Sequence, residues 1–148
     1  MKNKISLLTV LSFIYLTFTI NNYAFAQEPW RTDQLMQPAD LANIINSSSP
    51  DKPIVFSIGV AAVIKGSIDI GPVHEPANLE KFRKALEKLP RNSNIVIYCG
   101  CCPFIHCPNV RPAFKLLNEM KFTNQKLLNL STNIQTDWTS KGYPVQPY

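Results

Sequence analysis

The sequence contains no run of basic residues interleaved with aromatic ones, and its charges are scattered along the whole chain. The 148 residues carry a formal net charge of +5, to which Lys2 and Lys4 contribute near the N-terminus. Proteins that bind nucleic acids usually concentrate Lys and Arg in a patch or stripe. The sequence also lacks internal repeats and low-complexity segments. We therefore expect one ordinary globular domain and no nucleic-acid partner.

Cysteine is absent outside positions 99–107, where all four cysteines of the chain fall: Cys99, Cys101, Cys102 and Cys107. A disulfide that stabilises a fold usually joins distant parts of the chain, because the effect grows with the length of the closed loop. Bridges confined to this stretch would close only very small loops. The distribution argues against a disulfide-stapled fold and indicates that the thiols serve chemistry or metal binding.

No hydrophobic run of membrane-spanning length lies beyond residue 26. The apolar run 5–20 follows two lysines and precedes the small residues Ala24 and Ala26, as in a secretory signal peptide. It is shorter than the roughly 20 residues that a spanning helix needs. The sequence predicts a signal peptide at 1–26, cleaved between Ala26 and Gln27. We expect a periplasmic or secreted protein with no stable membrane insertion, an N-terminal extension at 27–34 and a single domain at 35–148.

Short β-branched, apolar segments alternate with amphipathic ones along the rest of the chain. Strands are predicted at 54–58, 68–70, 94–98 and 126–130. Helices are predicted after Pro38, Pro76 and Asn109, with Asn109 as an N-cap and a last helix carrying Trp138. This alternation predicts an α/β fold with a central parallel sheet flanked by helices on both faces.

The cysteine loop begins where the strand 94–98 ends and runs into the next helix. Ligands of parallel sheets bind beyond the carboxyl ends of the strands, and helix N-termini favour negative charge. A thiolate or persulfide on Cys99 should therefore be stabilised. Arg111 in the first helical turn is predicted to grip an oxyanion. The predicted substrate contacts are the remaining loop residues Gly100, Cys101, His106 and Asn109.

These features resemble the rhodanese family. The similarity lies in the strand and cysteine at 95–99, the helix 111–120, the strand 126–130 and the Gly-Tyr-Pro ending at Pro144. Upstream, 37–41 resembles the opening helix of that domain, and 54–58 and 65–68 its early strand and glycine turn. The loop is longer, since eleven residues separate Cys99 from Arg111. The resemblance implies a rhodanese-like domain and a sulfurtransferase in which Cys99 carries sulfur as a persulfide.

Several functions remain open at the cysteine loop. A persulfide on Cys99 could be resolved by Cys102 or Cys107, giving thiol-redox chemistry with a small sulfur compound or a partner thiol protein, and no cofactor is expected. Alternatively, a soft metal such as copper or zinc would be bound by the four cysteines and His106. A third interpretation is a thioredoxin-like disulfide oxidoreductase, since Cys99 and Cys102 form a Cys-x-x-Cys pair.

Overall fold

The computed structural model describes residues 27–147. The predicted signal peptide at 1–26 and its cleavage site lie outside the described residues, as does Tyr148. Within 27–147, the helices are all too short or too polar to cross a bilayer.

In the described part of the chain, five parallel strands form one sheet. They are β1 (Leu35–Met36), β2 (Ile54–Ser57), β3 (Ile68–Asp69), β4 (Ile95–Tyr98) and β5 (Gln125–Leu128), in the order β1-β5-β4-β2-β3. Strand β4 lies at the centre, with Ile97 level with Phe56 of β2 and Leu127 of β5. The predicted α/β domain with a central parallel sheet is confirmed. Strand β1, which the sequence does not reveal, adds a short edge beside β5.

Within 27–147, three α-helices connect strands: α1 (Pro38–Asn46), α2 (Pro76–Glu87) and α3 (Val110–Glu119). A fourth, α4 (Ile134–Asp137), follows β5. Pro38 and Pro76 occupy first helical positions, where the missing N–H has no intrahelical partner to lose. Trp138 follows α4 instead of lying within it, and its indole donates a hydrogen bond to the Pro144 carbonyl.

The side chains of β4 alternate between two hydrophobic cores. Ile95 and Ile97 pack in the core that contains Phe82 of α2 and Phe114 of α3. On the other face, Val96 and Tyr98 lie in the core that holds the buried residues of α1 together with Trp138. All four β4 side chains are buried, which explains the uninterrupted apolar run of this strand. Helices therefore cover both faces of the sheet, as predicted.

The segment 27–34, predicted as an extension, packs against the domain. Trp30 is buried and meets Phe104 and Phe114 in edge-to-face contacts with ring centroids 6.0 and 5.9 Å away. Such aromatic pairs stabilise a fold by about 0.5–1.5 kcal/mol beyond the area they bury. This segment therefore holds the cysteine loop, through Phe104, against helix α3.

Candidate thiol site

Cys99 is the first residue after β4, at the carboxyl edge of the sheet. The neighbouring strand β2 brings Gly59 against it, so that a Cβ added to Gly59 would lie 2.9 Å from Cys99 Sγ. Any larger residue at position 59 would displace the sulfur. The position of Cys99 thus follows from the order of the sheet, and its immediate surroundings depend on a glycine in the loop that follows the neighbouring strand β2.

All four cysteine sulfurs come together in one cluster. Their Sγ atoms lie within 4.8 Å of one another, and all four residues are free thiols. The Sγ atom of Cys101 is 3.4 Å from that of Cys99 and 3.3 Å from that of Cys102. Cys99 and Cys107 are buried, Cys102 is half-buried and Cys101 is exposed. The cysteine loop predicted from the sequence therefore brings its four thiols into one compact group, in which Cys101 is exposed to solvent.

Asn109 connects this cluster to a distant loop. Its Nδ2 donates to Cys99 Sγ at 3.4 Å, while its Oδ1 accepts from the backbone N–H of His74 at 3.0 Å. His74 Nδ1 lies 2.8 Å from the same oxygen. Asn109 is the N-cap residue of α3, as predicted, but its side chain makes no cap hydrogen bond. The residue is 3 % exposed, and its carboxamide is directed at the sulfur instead.

Hydrogen bonds and burial lower the pKa of one thiol in the cluster and raise the pKa of two others. Donation from Cys107, supplemented by Asn109 and Cys101 and opposed by burial, lowers the pKa of Cys99 to about 5. Loss of hydration and donation to its neighbours raise the pKa of Cys101 to about 12. Donation to Cys99, together with burial, raises the pKa of Cys107 far above its ordinary value. These shifts favour the thiolate on Cys99 and the protonated thiols on Cys101 and Cys107.

Backbone contacts hold the loop against its neighbours. The Gly100 carbonyl accepts from Ile134 N–H at 2.9 Å, and Phe104 N–H donates to the Leu130 carbonyl at 3.0 Å. A Cβ on Gly100 would lie 2.9 Å from Cβ of Ile134, so this contact also requires glycine. The loop is thus attached to the segment after β5 and to the start of α4, which fixes the sulfurs relative to the sheet.

Two predicted site residues, Arg111 and His106, are not part of the cluster. The Arg111 guanidinium pairs with the Glu28 carboxylate at 2.6 Å and donates to the Ile105 carbonyl at 3.0 Å. It also lies over the Trp30 ring, 5.7 Å from its centroid. His106 is exposed, and its ring is not part of the group of potential metal ligands described for 27–147. The structure therefore assembles the four cysteines and Asn109, with Gly100 supporting the loop, but not Arg111 or His106.

Sequence reasoning missed the contributions of Gly59 and His74. Both lie on loops that the fold carries to the carboxyl edge of the sheet, and His74 is 35 residues from Asn109. Nothing in the local sequence marks either residue, because their roles arise only from long-range contacts.

A scan against protein-family models gives no match, and a search of curated proteins finds no similar chain.

Proposed function

We propose that this protein is an exported, rhodanese-like thiol protein that carries out sulfur transfer or thiol-redox chemistry at Cys99. The observation that carries the proposal is the setting of Cys99 Sγ. It lies at the carboxyl edge of the sheet, accepts from Asn109 Nδ2 at 3.4 Å and lies 3.4 Å from the exposed thiol of Cys101. A sulfur anion is supported by donors there, and a second thiol is within reach for exchange.

The first chemical step would be attack by the Cys99 thiolate on the outer sulfur of a sulfane donor. A bond forms between Cys99 Sγ and that sulfur, and the donor's sulfur–sulfur bond breaks. The rest of the donor leaves with the electron pair, as a thiolate from an organic persulfide or as a polysulfide anion that is one sulfur shorter. The product is a persulfide on Cys99. Its terminal anion would accept hydrogen bonds from the same protonated thiols that support the thiolate.

The charge of the site favours polysulfides and persulfides over thiosulfate as donors. Thiosulfate carries a sulfonate group, for which a guanidinium is the best partner. Arg111 is already paired with Glu28. A donor that lacks an oxyanion group needs no such partner.

Mass measurement on the reduced, metal-free protein tests this function. After anaerobic treatment with polysulfide, we expect the intact protein to gain a sulfur atom or to lose two hydrogens through a subsequent disulfide. Cys99→Ser should abolish both changes. Its matched control is Cys102→Ser, at the half-buried thiol, which should still react. An unchanged reaction in Cys99→Ser, or an unreactive parent protein, would contradict the proposal.

Metal binding is a second candidate, favoured by the compactness of the cluster. Tetrahedral zinc with Zn–S bonds of about 2.3 Å requires sulfurs about 3.8 Å apart. The four Sγ atoms, all within 4.8 Å of one another, approach that spacing without any rearrangement of the fold. Soft thiolates also suit monovalent copper. The ligands would be Cys99, Cys101, Cys102 and Cys107, without His106.

Metal content after anaerobic purification separates the two functions. Metal binding predicts one equivalent of zinc or copper, lost in Cys107→Ser and retained in His106→Ala. A protein that stays metal-free when supplied with either ion, yet reacts with polysulfide, contradicts the metal candidate.

A further inference from the structure

We infer that Cys101 is the resolving thiol of this site and the sulfur at which a reducing dithiol protein attacks. Cys101 would convert the Cys99 persulfide into sulfide and a Cys99–Cys101 disulfide, which the partner then reduces. This inference rests on the proposed function and assigns different roles to Cys99 and Cys101. Cys99 accepts sulfur, and Cys101 exchanges electrons with the partner.

Exposure distinguishes Cys101 from the other thiols. Cys99 and Cys107 are 1 % and 0 % exposed, so a folded partner protein cannot bring its own sulfur to either. Cys101 is the exposed member of the four, all of which lie in the described part of the chain. Thiol–disulfide exchange requires direct attack on one sulfur of the bridge. A partner therefore meets Cys101 first.

Distance and covalent geometry select the same pair. The Sγ atoms of Cys99 and Cys101 are already 3.4 Å apart, close to van der Waals contact. Cys101 and Cys102 are equally close, at 3.3 Å, but they are adjacent residues. Adjacent Cα atoms lie about 3.8 Å apart, below the roughly 4.4 Å that a relaxed disulfide needs. Cys107 is 0 % exposed, so a bridge between Cys99 and Cys107 would have neither sulfur open to a partner protein.

The resolving step balances without an external oxidant. The outer anion of the persulfide takes the Cys101 thiol proton, and the Cys101 thiolate attacks Cys99 Sγ. A Cys99–Cys101 bond forms, and the bond to the outer persulfide sulfur breaks. The outer sulfur leaves with the electron pair and the proton it received and takes a second proton from solvent, so hydrogen sulfide is released. The sulfur is reduced by two electrons, and the two cysteines are oxidised by two.

The returning electrons come from a dithiol protein. One partner thiolate bonds to Cys101 Sγ, and the Cys99–Cys101 bond breaks with its electron pair on Cys99, where Asn109 Nδ2 supports the anion. The partner's second thiol then attacks the partner's first sulfur, which is bonded to Cys101 in the mixed disulfide, and Cys101 is released as a thiol. The partner leaves as a disulfide. Because a stabilised thiolate is a good leaving group, the bridge should open at this sulfur and be easily reduced.

Three double variants test the choice of resolving thiol, each keeping Cys99 and one other cysteine. Cys102→Ser/Cys107→Ser keeps Cys101, Cys101→Ser/Cys107→Ser keeps Cys102, and Cys101→Ser/Cys102→Ser keeps Cys107. After anaerobic addition of polysulfide, we expect the variant with Cys101 to release sulfide and lose two hydrogens. The other two should remain persulfidated. Faster sulfide release from either of them would overturn the inference. Failure of every variant and of the parent protein to gain sulfur would instead refute the proposed function.

A second measurement tests the site of partner attack. The oxidised Cys102→Ser/Cys107→Ser variant is treated with glutathione and quenched with iodoacetamide, and the modified peptide is fragmented. We expect glutathione on Cys101 and the alkyl group on Cys99. Glutathione on Cys99 would overturn the assigned direction, while leaving persulfide formation on Cys99 intact.

Discussion

The carboxamide of Asn109 can be oriented in only one way, because the backbone N–H of His74 is always a donor. The atom facing that N–H at 3.0 Å must be the oxygen, so the NH₂ group faces Cys99 Sγ. The His74 ring nitrogen at 2.8 Å adds a second contact to the same oxygen. A buried amide held from one side thus presents a fixed donor to the sulfur, which is the arrangement that a thiolate needs.

Asn109→Ala should raise the pKa of the Cys99 thiol, because it removes a donor that favours the thiolate. A hydrogen bond to a charged group contributes about 1.5–3 kcal/mol, so an increase of about one pH unit or more is expected. The measurement is an ultraviolet titration of thiolate absorbance in the reduced, metal-free protein. His74→Ala, which leaves the backbone donor in place, should produce a smaller increase. Asn43→Ala, on the exposed face of α1, serves as control, and an equal increase there would contradict the role of Asn109.

Gly59→Ala should displace the Cys99 sulfur, because the new Cβ would lie 2.9 Å from Sγ. Overpacking of this kind costs about 1–3 kcal/mol of folding free energy. We expect both lower stability in urea and slower persulfide formation.

Gly66→Ala is the matched control for this change. Gly66 has φ +77 and no atom within 4 Å of an added Cβ. Backbone strain there should cost roughly 1–2 kcal/mol without affecting the thiols. If both variants lose stability and both keep full persulfide formation, the contact between Gly59 and Cys99 has no functional effect.

The cysteine loop is held in place by contacts with several different parts of the fold. The Gly100 carbonyl accepts a hydrogen bond from the first residue of α4. The Phe104 N–H donates to the Leu130 carbonyl, and the Phe104 ring packs on Trp30. Its far end enters α3 at Val110, where Arg111 turns outward to Glu28. Arg111 therefore helps to hold the segment 27–34 against the rest of the domain.

Arg111→Ala should reduce stability slightly and leave persulfide formation unchanged. The Arg111 and Glu28 side chains are 40 % and 33 % exposed, so solvent screening limits the pair to less than about 1 kcal/mol. Urea unfolding and the rate of sulfur gain are the two measurements. Arg31→Ala, at the exposed pair with Asp33, is the control. A loss of reaction rate of about tenfold, equal to about 1.4 kcal/mol, would restore the predicted role of Arg111 as an anion clamp.

The sequence predicts the elements better than it predicts the contacts between them. Strands β2, β4 and β5 and the three longer helices follow from apolar periodicity and from prolines at helix starts. Strand β1 has only two residues and exists because Leu35 and Met36 pair with Leu127 and Leu128. The cluster of sulfurs could be predicted from spacing, whereas Gly59 and His74 reach it through the sheet order, which no local pattern specifies.

The thiol cluster makes the stability of the folded chain depend on pH. In the folded chain Cys99 loses its proton near pH 5, but in the unfolded chain it does so near its ordinary value of 9.0. Between these values the unfolded state binds more protons, so stability rises with pH and is lost as the pH falls towards 5. The raised pKa values of Cys101 and Cys107 act in the opposite direction above about pH 9, where the unfolded thiols ionise and the folded ones do not.

The thiols of the reduced, metal-free protein should therefore stabilise the fold most strongly near pH 9. We expect the unfolding free energy, measured by urea denaturation at a series of pH values, to increase from pH 5 towards 9 and to decrease above it. Cys99→Ser should flatten the increase, because serine does not ionise in this range, and it should weaken the decrease, because Cys107 then no longer donates to an anion. Cys102→Ser is the control and should retain the increase. Parallel curves for the parent protein and Cys99→Ser between pH 5 and 9 would mean that Cys99 ionises alike in the folded and unfolded chains. The surrounding donors would then give its thiolate no net stabilisation.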